Sequence, residues 1–332
     1  MMRKNLKKAL LLGMAGIMGI SLVACGGGDS SSGNELTNNG DYVFATGGTS
    51  GTYYPLGGAI ANIENTVNKD IGFNVTVNST GASKENIMLI SKGEADFAIV
   101  QNDVTDYATN GEVLFDSPVE GIATVASIYP EVVQVVVAAD SGINTISDLA
   151  GKRVSIGDAG SGVEANALQV LSAYGLTTDD ISVNRLSFKE SGNAFKDGAI
   201  DAFFVTAGVP NTAVSELAVT RALKLVDISG SEADSLIADY PFYTKIVIPK
   251  DMYGTEKDIE TVGVRAIIIC RSDLNEEEVY LFTKAIYDNL DSLSSAHAKG
   301  KEFKLEEAAD GVTVSLHPGA AKYYKEAGLD IS

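Results

Sequence analysis

Two glycine-rich stretches, Ala45–Gly58 (ATGGTSGTYYPLGG) and Ile156–Asn166 (IGDAGSGVEAN), carry the residue types best suited to hold a small anion. Each reads as a strand end, a polar turn and the first turn of a helix. Backbone amides stand unpaired there and the helix dipole is positive, which attracts a carboxylate or phosphate. In the first stretch Gly47, Gly48 and Gly51 allow close backbone approach, and Thr49, Ser50 and Thr52 offer hydroxyls beside the helix start. Ser and Thr also serve there as plain caps. Tyr53 is placed to cover a solute, although one of the pair Tyr53 and Tyr54 should point into the core. In the second stretch Gly160, Ser161 and Gly162 supply the amides. Ser161-x-x-Glu164 fits a capping box, so Glu164 reads equally as a cap and as an acceptor for a solute amino group.

Further polar residues fall at element ends. Ser83 and Asn86 lie one turn apart on one face of a helix start, where they bind a solute or cap the helix. Gln101 and Asp103 end an apolar strand where a cleft should open, and Ala207 with Gly208 occupy the analogous end of a later strand. A carboxylate could instead be held by a bidentate arginine. Arg265, at the start of an apolar strand, is the best candidate, its alternative being a surface ion pair.

Enzyme chemistry lacks its parts. His297 and His317 are the only histidines, and His317 precedes a proline at a helix start, which suits a cap. No HExxH or GxSxG occurs, and Cys270 ends the apolar run IIIC. The turn at Gly160 has neither the spaced third glycine of a dinucleotide fingerprint nor the lysine of a phosphate loop. No catalytic residue, cofactor or metal site is expected. With tryptophan absent, Tyr129 and Tyr243 remain as rings that could cover a ligand.

The elements that must position these residues alternate between strand and helix periods, with polar turns after the strands. That is the pattern of an α/β chain with mainly parallel sheets, whose ligands sit at the carboxyl ends of the strands. Strands are expected at Asp41–Thr46, Gly72–Asn78, Phe97–Val100, Arg153–Ile156, Ser182–Phe188, Ile200–Val205, Leu223–Ile228 and Arg265–Cys270. Ile122–Ala139 is β-branched but too long for one ordinary strand, and predicts two strands with a crossing near Tyr129-Pro130. A return crossing is expected near Tyr240–Thr244, and one long helix over Glu276–Leu293. The domains follow: residues 41–127 with 246–332 as one lobe, and 128–245 as the other.

The first forty residues stand apart. Arg3, Lys4, Lys7 and Lys8 precede an apolar run that ends in Leu22-Val23-Ala24-Cys25, the small-residue pattern of a bacterial lipobox. This predicts a signal peptide over residues 1–24, cleavage before Cys25, lipidation of its thiol and an extracytoplasmic chain anchored to the cell membrane. Residues 25–40, rich in Gly, Ser and Asn, read as a flexible tether. The whole-chain charge is −19, and loss of the four basic signal residues takes it to −23, which excludes a nucleic-acid surface.

The sequence resembles the TAXI-type solute receptors of TRAP transporters over roughly Asp41 to Leu329. The resemblance rests on ATGGTSGTYYPLGG, STGASKEN from Ser79, GEADFAIVQND from Gly93, DAGSGVEANA from Asp158, DAFFVTAGVP from Asp201 and HPGAAKYYKEAGL from His317, in that order. It implies a two-lobed type II periplasmic-binding fold. It also implies capture of a small organic acid or amino acid, such as glutamate, glutamine or 2-oxoglutarate, for an ion-driven membrane permease. Other outcomes for such a chain are a receptor for an ATP-driven importer or a sensor, a lipid-anchored enzyme on the same scaffold, or a structural surface lipoprotein.

Overall fold

A computed structural model describes residues 36–329 and 331; the expected signal peptide, the lipidation at Cys25 and most of the tether lie outside the described residues. The first part of the chain forms β1 (Asp41–Ala45), α1 (Tyr53–Val67), β2 (Asn74–Asn78), α2 (Ser83–Ser91), β3 (Phe97–Gln101) and α3 (Asn102–Asn110). A long strand, β4 (Ile122–Ala138), leads to β5 (Arg153–Ser155), α4 (Gly162–Ala173), β6 (Ser182–Asn184), α5 (Phe188–Lys196), β7 (Ala202–Ala207) and α6 (Thr212–Thr220). There follow β8 (Leu223–Val226), α7 (Gly230–Asp239), β9 (Thr244–Ile248), the second long strand β10 (Ile259–Arg271), α8 (Glu276–Tyr287), α9 (Leu290–Ala296) and α10 (Pro318–Glu326).

The strands join in the order β2-β1-β3-β10-β4-β7-β5-β6, with β8 on β4 and β9 on β10. The flanking sets β2-β1-β3 and β7-β5-β6 carry the expected parallel pairings at β1–β2, β1–β3, β5–β6 and β5–β7. The two long strands are antiparallel to each other and to their neighbours β3 and β7, so they tie two parallel sets together.

Both faces of each half are covered. On one side of β1, β3 and the near half of β10, Phe44, Phe97 and Ile268 pack with Leu56 and Ile60 of α1 and Phe282 of α8; the Phe97 and Phe282 rings stack at 3.9 Å. On the other side Ala98, Val100, Ile267 and Ile269 meet Ile87 and Ile90 of α2 and Val104 of α3. In the second half Val133, Val135, Phe204 and Val264 pack on α4 and α7, while Val136, Phe203 and Val205 pack on α5 and α6. Burial of both faces explains why these strands read as unbroken apolar runs rather than alternating ones.

Several elements differ from the sequence reading, among them the strand expected at Arg265–Cys270, which extends over Ile259–Arg271 as β10, and α7 and β9, which it missed. β4 does not break at Tyr129-Pro130: it runs seventeen residues, pairing β10 over Ile122–Val132 and β7 over Val132–Val137. Pro130 lies opposite Arg265, beside a register shift at Ala266/Ile267, where a missing N–H donor is tolerated. The strand expected over Ser182–Phe188 stops at Asn184, because Ser187 and Glu190 form a capping box that starts α5. The long C-terminal helix divides into α8 and α9 around Asp288 and Asn289. α3, which sequence reading missed, starts immediately at the end of β3.

The long strands approach each other closely at Gly263. A Cβ there would lie 2.5 Å from the Glu131 carbonyl oxygen and 2.4 Å from Ile246 Cδ1, so only glycine fits between β4 and β9.

Candidate functional site

The carboxyl ends of β1, β3, β5 and β7 open on one cleft. It holds about 560 Å³ of space, open solvent at its mouth included, of which about 60 Å³ admits the centre of a water molecule. Of the residues singled out in the first glycine turn, Gly47, Gly48, Ser50, Gly51, Thr52 and Tyr53 line it. Ser83 and Gln101 join them from the same half, and Ser161, Gly162 and Ala207 line it from the other. The cleft therefore gathers the two glycine turns, although more than a hundred residues separate them in sequence.

Among the described residues, the helix starts that face the cleft keep amides without partners. At α1 no hydrogen bond engages the N–H of Thr52, Tyr53 or Tyr54, and Pro55 has none to give. At α4 the N–H groups of Gly162 and Val163 are likewise unengaged, while the Glu164 N–H is taken by Ser161 Oγ at 3.2 Å. Ala82, directly before α2, holds φ at +73°, a backbone conformation that L residues rarely adopt, at the cleft wall.

Several expected residues do not reach the cleft. Glu164 uses both carboxylate oxygens on the protein: Oε2 accepts the Gly160 N–H at 2.6 Å, and Oε1 meets Arg185 Nε at 2.6 Å. The capping reading holds in a shifted form, and the Gly160 amide is consumed with it. Asn86 is fully buried and fully engaged, donating to the carbonyls of Thr46 and Ile99 and accepting from Thr80 Oγ1. It ties the ends of β1 and β3 together. Thr49 lies on a separate surface groove with Lys189 and Lys196, and Gly208 is covered by Lys299, whose Cε would lie 2.5 Å from a Cβ there. Asp103 is buried behind the cleft, one oxygen accepting from Asn166 Nδ2 at 2.8 Å. Arg265 is held by Ser127 Oγ and Glu307 as an ion pair, and His317 caps α10 through Nδ1. Tyr129 and Tyr243 are buried rather than lids, and of the adjacent pair Tyr53 is buried and Tyr54 exposed.

Sequence reading missed a buried carboxyl on the cleft wall. Glu131 lines the cleft from the middle of β4, with Oε2 accepting from Tyr53 O–H at 2.7 Å and Oε1 from Tyr129 O–H at 3.4 Å. Burial pushes its carboxyl up to about 8, with the charge of Asp103 adding to the effect. Asp158, also lining the cleft, is raised by burial as well. Glu131 follows Pro130 within a β-branched run, so nothing local marks it. Ser187, Phe188, Thr206 and Val163 complete the wall. The side-chain atoms Gln101 Oε1 and Thr206 Oγ1 are buried there without a partner.

The cleft wall thus contains no basic side chain; unengaged amides supply its positive character and Glu131 with Asp158 its negative one. Among the described residues no group of three or more His, Cys, Asp or Glu is arranged to hold a metal ion.

Residues 44–328 match the family model described as NMT1-like. The chain belongs to the NMT1-like family. Its fold is that of periplasmic solute-binding proteins. A Listeria monocytogenes structure titled a putative L-cystine ABC transporter is 14% identical, with 80% of this chain and 98% of that one covered at a TM-score of 0.50. A Bordetella bronchiseptica structure is 18% identical, with 86% and 82% covered at 0.52. The alkanesulfonate-binding protein of Xanthomonas axonopodis pv. citri, bound to MOPS, is 15% identical, with 88% and 80% covered at 0.48. Among the described residues of this NMT1-like chain no helix is long and apolar enough to cross a membrane.

Proposed function

We propose that this chain is an extracytoplasmic receptor that captures a small amino acid in the cleft and delivers it to a TRAP-type membrane permease, the chain being held at the membrane by a lipid on Cys25. The observation that carries the solute class is the polarity of the site. Unengaged amides at the starts of α1 and α4 suit a carboxylate, and the buried Glu131 carboxyl suits an ammonium group. A glutamate- or glutamine-like solute satisfies both ends, whereas 2-oxoglutarate leaves Glu131 without a cationic partner.

The mechanism follows from the two halves of the sheet acting as lobes, with crossings at the middle of β4 and of β10. Solute docks on the glycine turn of the first half, and closure brings Ser161 and Gly162 onto it. Inside the narrowed cleft water is displaced and the hydrogen bonds strengthen.

The test is the melting temperature of the chain, unfolded and refolded to strip bound solute, against glutamate, glutamine, 2-oxoglutarate and other small acids. Solute at about a hundred times its dissociation constant should add roughly 2.7 kcal/mol. A shift with an amino acid and none with its oxo analogue supports the reading; equal shifts with both remove Glu131 from the recognition. For the partner, uptake by cells that survives ATP depletion but collapses with an ionophore supports a TRAP-type permease over an ATP-driven importer.

A further inference from the structure

Behind the cleft, α3 and α4 meet largely through buried polar side chains, with the Phe242 ring packed edge-on against Tyr107 beside them. Asn166 on α4 is the hub: its Oδ1 accepts from Gln101 Nε2 at 3.0 Å, and its Nδ2 donates to Asp103 Oδ2 and to the Tyr243 hydroxyl, both at 2.8 Å. Tyr243 in turn donates to Gln169 Oε1 at 2.6 Å, and Gln169 Nε2 donates to Tyr107 O–H at 2.9 Å. All six residues are buried. Gln101, Asp103 and Tyr107 belong to β3 and α3, whereas Asn166, Gln169 and Tyr243 belong to the other half of the sheet. Asp103 Oδ1 and Gln101 Oε1 are left without partners.

We propose that these six residues form a polar latch that holds the two halves together when the cleft is closed and parts into water when it opens. The proposal rests on the receptor reading above. A seam of apolar side chains would be penalised in proportion to the area exposed on opening. A seam of hydrogen-bonded amides, hydroxyls and one carboxyl exchanges protein partners for water and changes little in free energy. The latch is also wired to the cleft, because Gln101 lines the wall and grips Asn166 with Nε2, its Oε1 buried without a partner. A donor on the solute that engages Oε1 fixes the side chain in the orientation that holds Asn166.

Asp103 adds a proton to this closure. Burial pushes its carboxyl up to about 6, against an ordinary 3.8. The facing titratable groups are Asp106 and Tyr107 on its own helix, Glu131 on β4 and Tyr243 ahead of β9, and none of these is cationic. The free Oδ1 can take a proton while Oδ2 keeps its bond from Asn166. With the raised value belonging to the closed state, closure is favoured fully below the ordinary value and the advantage is lost as pH rises through about 6.

The experiment is a distance measurement by double electron–electron resonance on the full chain with Cys25→Ser, Ile71→Cys and Val219→Cys. Ile71 and Val219 are exposed in different halves, and the remaining thiol, Cys270, is buried. At about pH 5, where the parent is held closed, Asn166→Ala should lengthen the label separation by more than about 2 Å relative to the parent, with a cooperative melting transition retained. A separation matching the parent's overturns the latch. In a second variant, Asp103→Asn, the separation should stay short up to about pH 8, where the parent lengthens. If that variant lengthens with the parent, the proton step is overturned. A melting shift with an amino acid, in a chain whose Asn166→Ala separation equals the parent's, leaves the receptor standing and removes only the latch.

Discussion

The side-chain oxygen of Gln101 occupies the space that any side chain at Gly162 would need: a Cβ built on Gly162 would lie 1.4 Å from Gln101 Oε1. Gln101 ends β3 and Gly162 begins α4, so this contact joins the two halves of the sheet at the cleft wall. Two elements widely separated in sequence meet through an absent side chain.

Gly162→Ala should therefore displace Gln101 and press on Val104, whose Cγ2 would lie 3.1 Å from the new Cβ. The helical start at Gly162 suits alanine, but this overpacking should cost the solute-free chain about 1 to 3 kcal/mol. The solute-induced shift should shrink by the equivalent of tenfold or more in affinity. Thermal melts with a saturating amino acid read both quantities, and an undiminished shift contradicts the role given to this contact.

Glu131→Gln tests the buried carboxyl through pH. Its raised value means that the folded chain keeps a proton between the ordinary 4.5 and about 8 that the unfolded chain has released. The stabilisation is fully present below the ordinary value and lost as pH rises through about 8. The variant should melt close to the parent at about pH 5 and above it at about pH 9, by an amount on the order of a few kcal/mol. Amino-acid binding near neutral pH should release a proton to buffer, because an ammonium favours the ionised carboxylate, and calorimetry in buffers of different ionisation enthalpy should show that release only in the parent.

Two residues given structural roles should act on stability alone. Asn86→Ala removes the side-chain donor to the Ile99 carbonyl and one of the two donors to the Thr46 carbonyl, which keeps Thr80 Oγ1, and should cost about 2 to 4 kcal/mol. Glu164→Gln weakens the part-buried pairing with Arg185 and the bond from the Gly160 N–H, and should cost about 1 to 3 kcal/mol. Chemical denaturation measures both costs. A tenfold loss of solute affinity in Glu164→Gln at unchanged stability would restore the solute-contact role.

Gly263→Ala places a methyl group against the Glu131 carbonyl oxygen and Ile246. Overpacking at this crossing should cost about 1 to 3 kcal/mol. Because the clash bears on the backbone next to Glu131, the label separation across the halves should shift too. A variant as stable as the parent would show that β4 and β10 yield there.

Much of the fold was legible in local patterns. The parallel flanking strands announce themselves as apolar runs followed by polar turns, and the helices after Gly51 and Gly160 by their caps. Errors fell where one signal imitated another. Ser182–Phe188 alternates like a strand, yet Ser187 and Glu190 cap a helix start. Tyr129-Pro130 looks like a break, yet β4 continues because β10 supports it on one side of Pro130 and β7 takes over beyond it. α3 was hidden because it follows β3 with no intervening turn.

The same division holds for the site. By itself the sequence determined which turns carry free amides, since glycine, serine and threonine at a strand end before a helix create them wherever the chain goes. Only the tertiary structure decided which polar side chains face the cleft. Glu131 enters it because the β4 register turns that carboxyl toward Tyr53, and Glu164 and Asn86 leave it because nearby backbone groups and Arg185 consume their hydrogen-bonding capacity. Hydrogen-bond competition and strand register are set by partners distant in sequence, and local spacing carries no record of them.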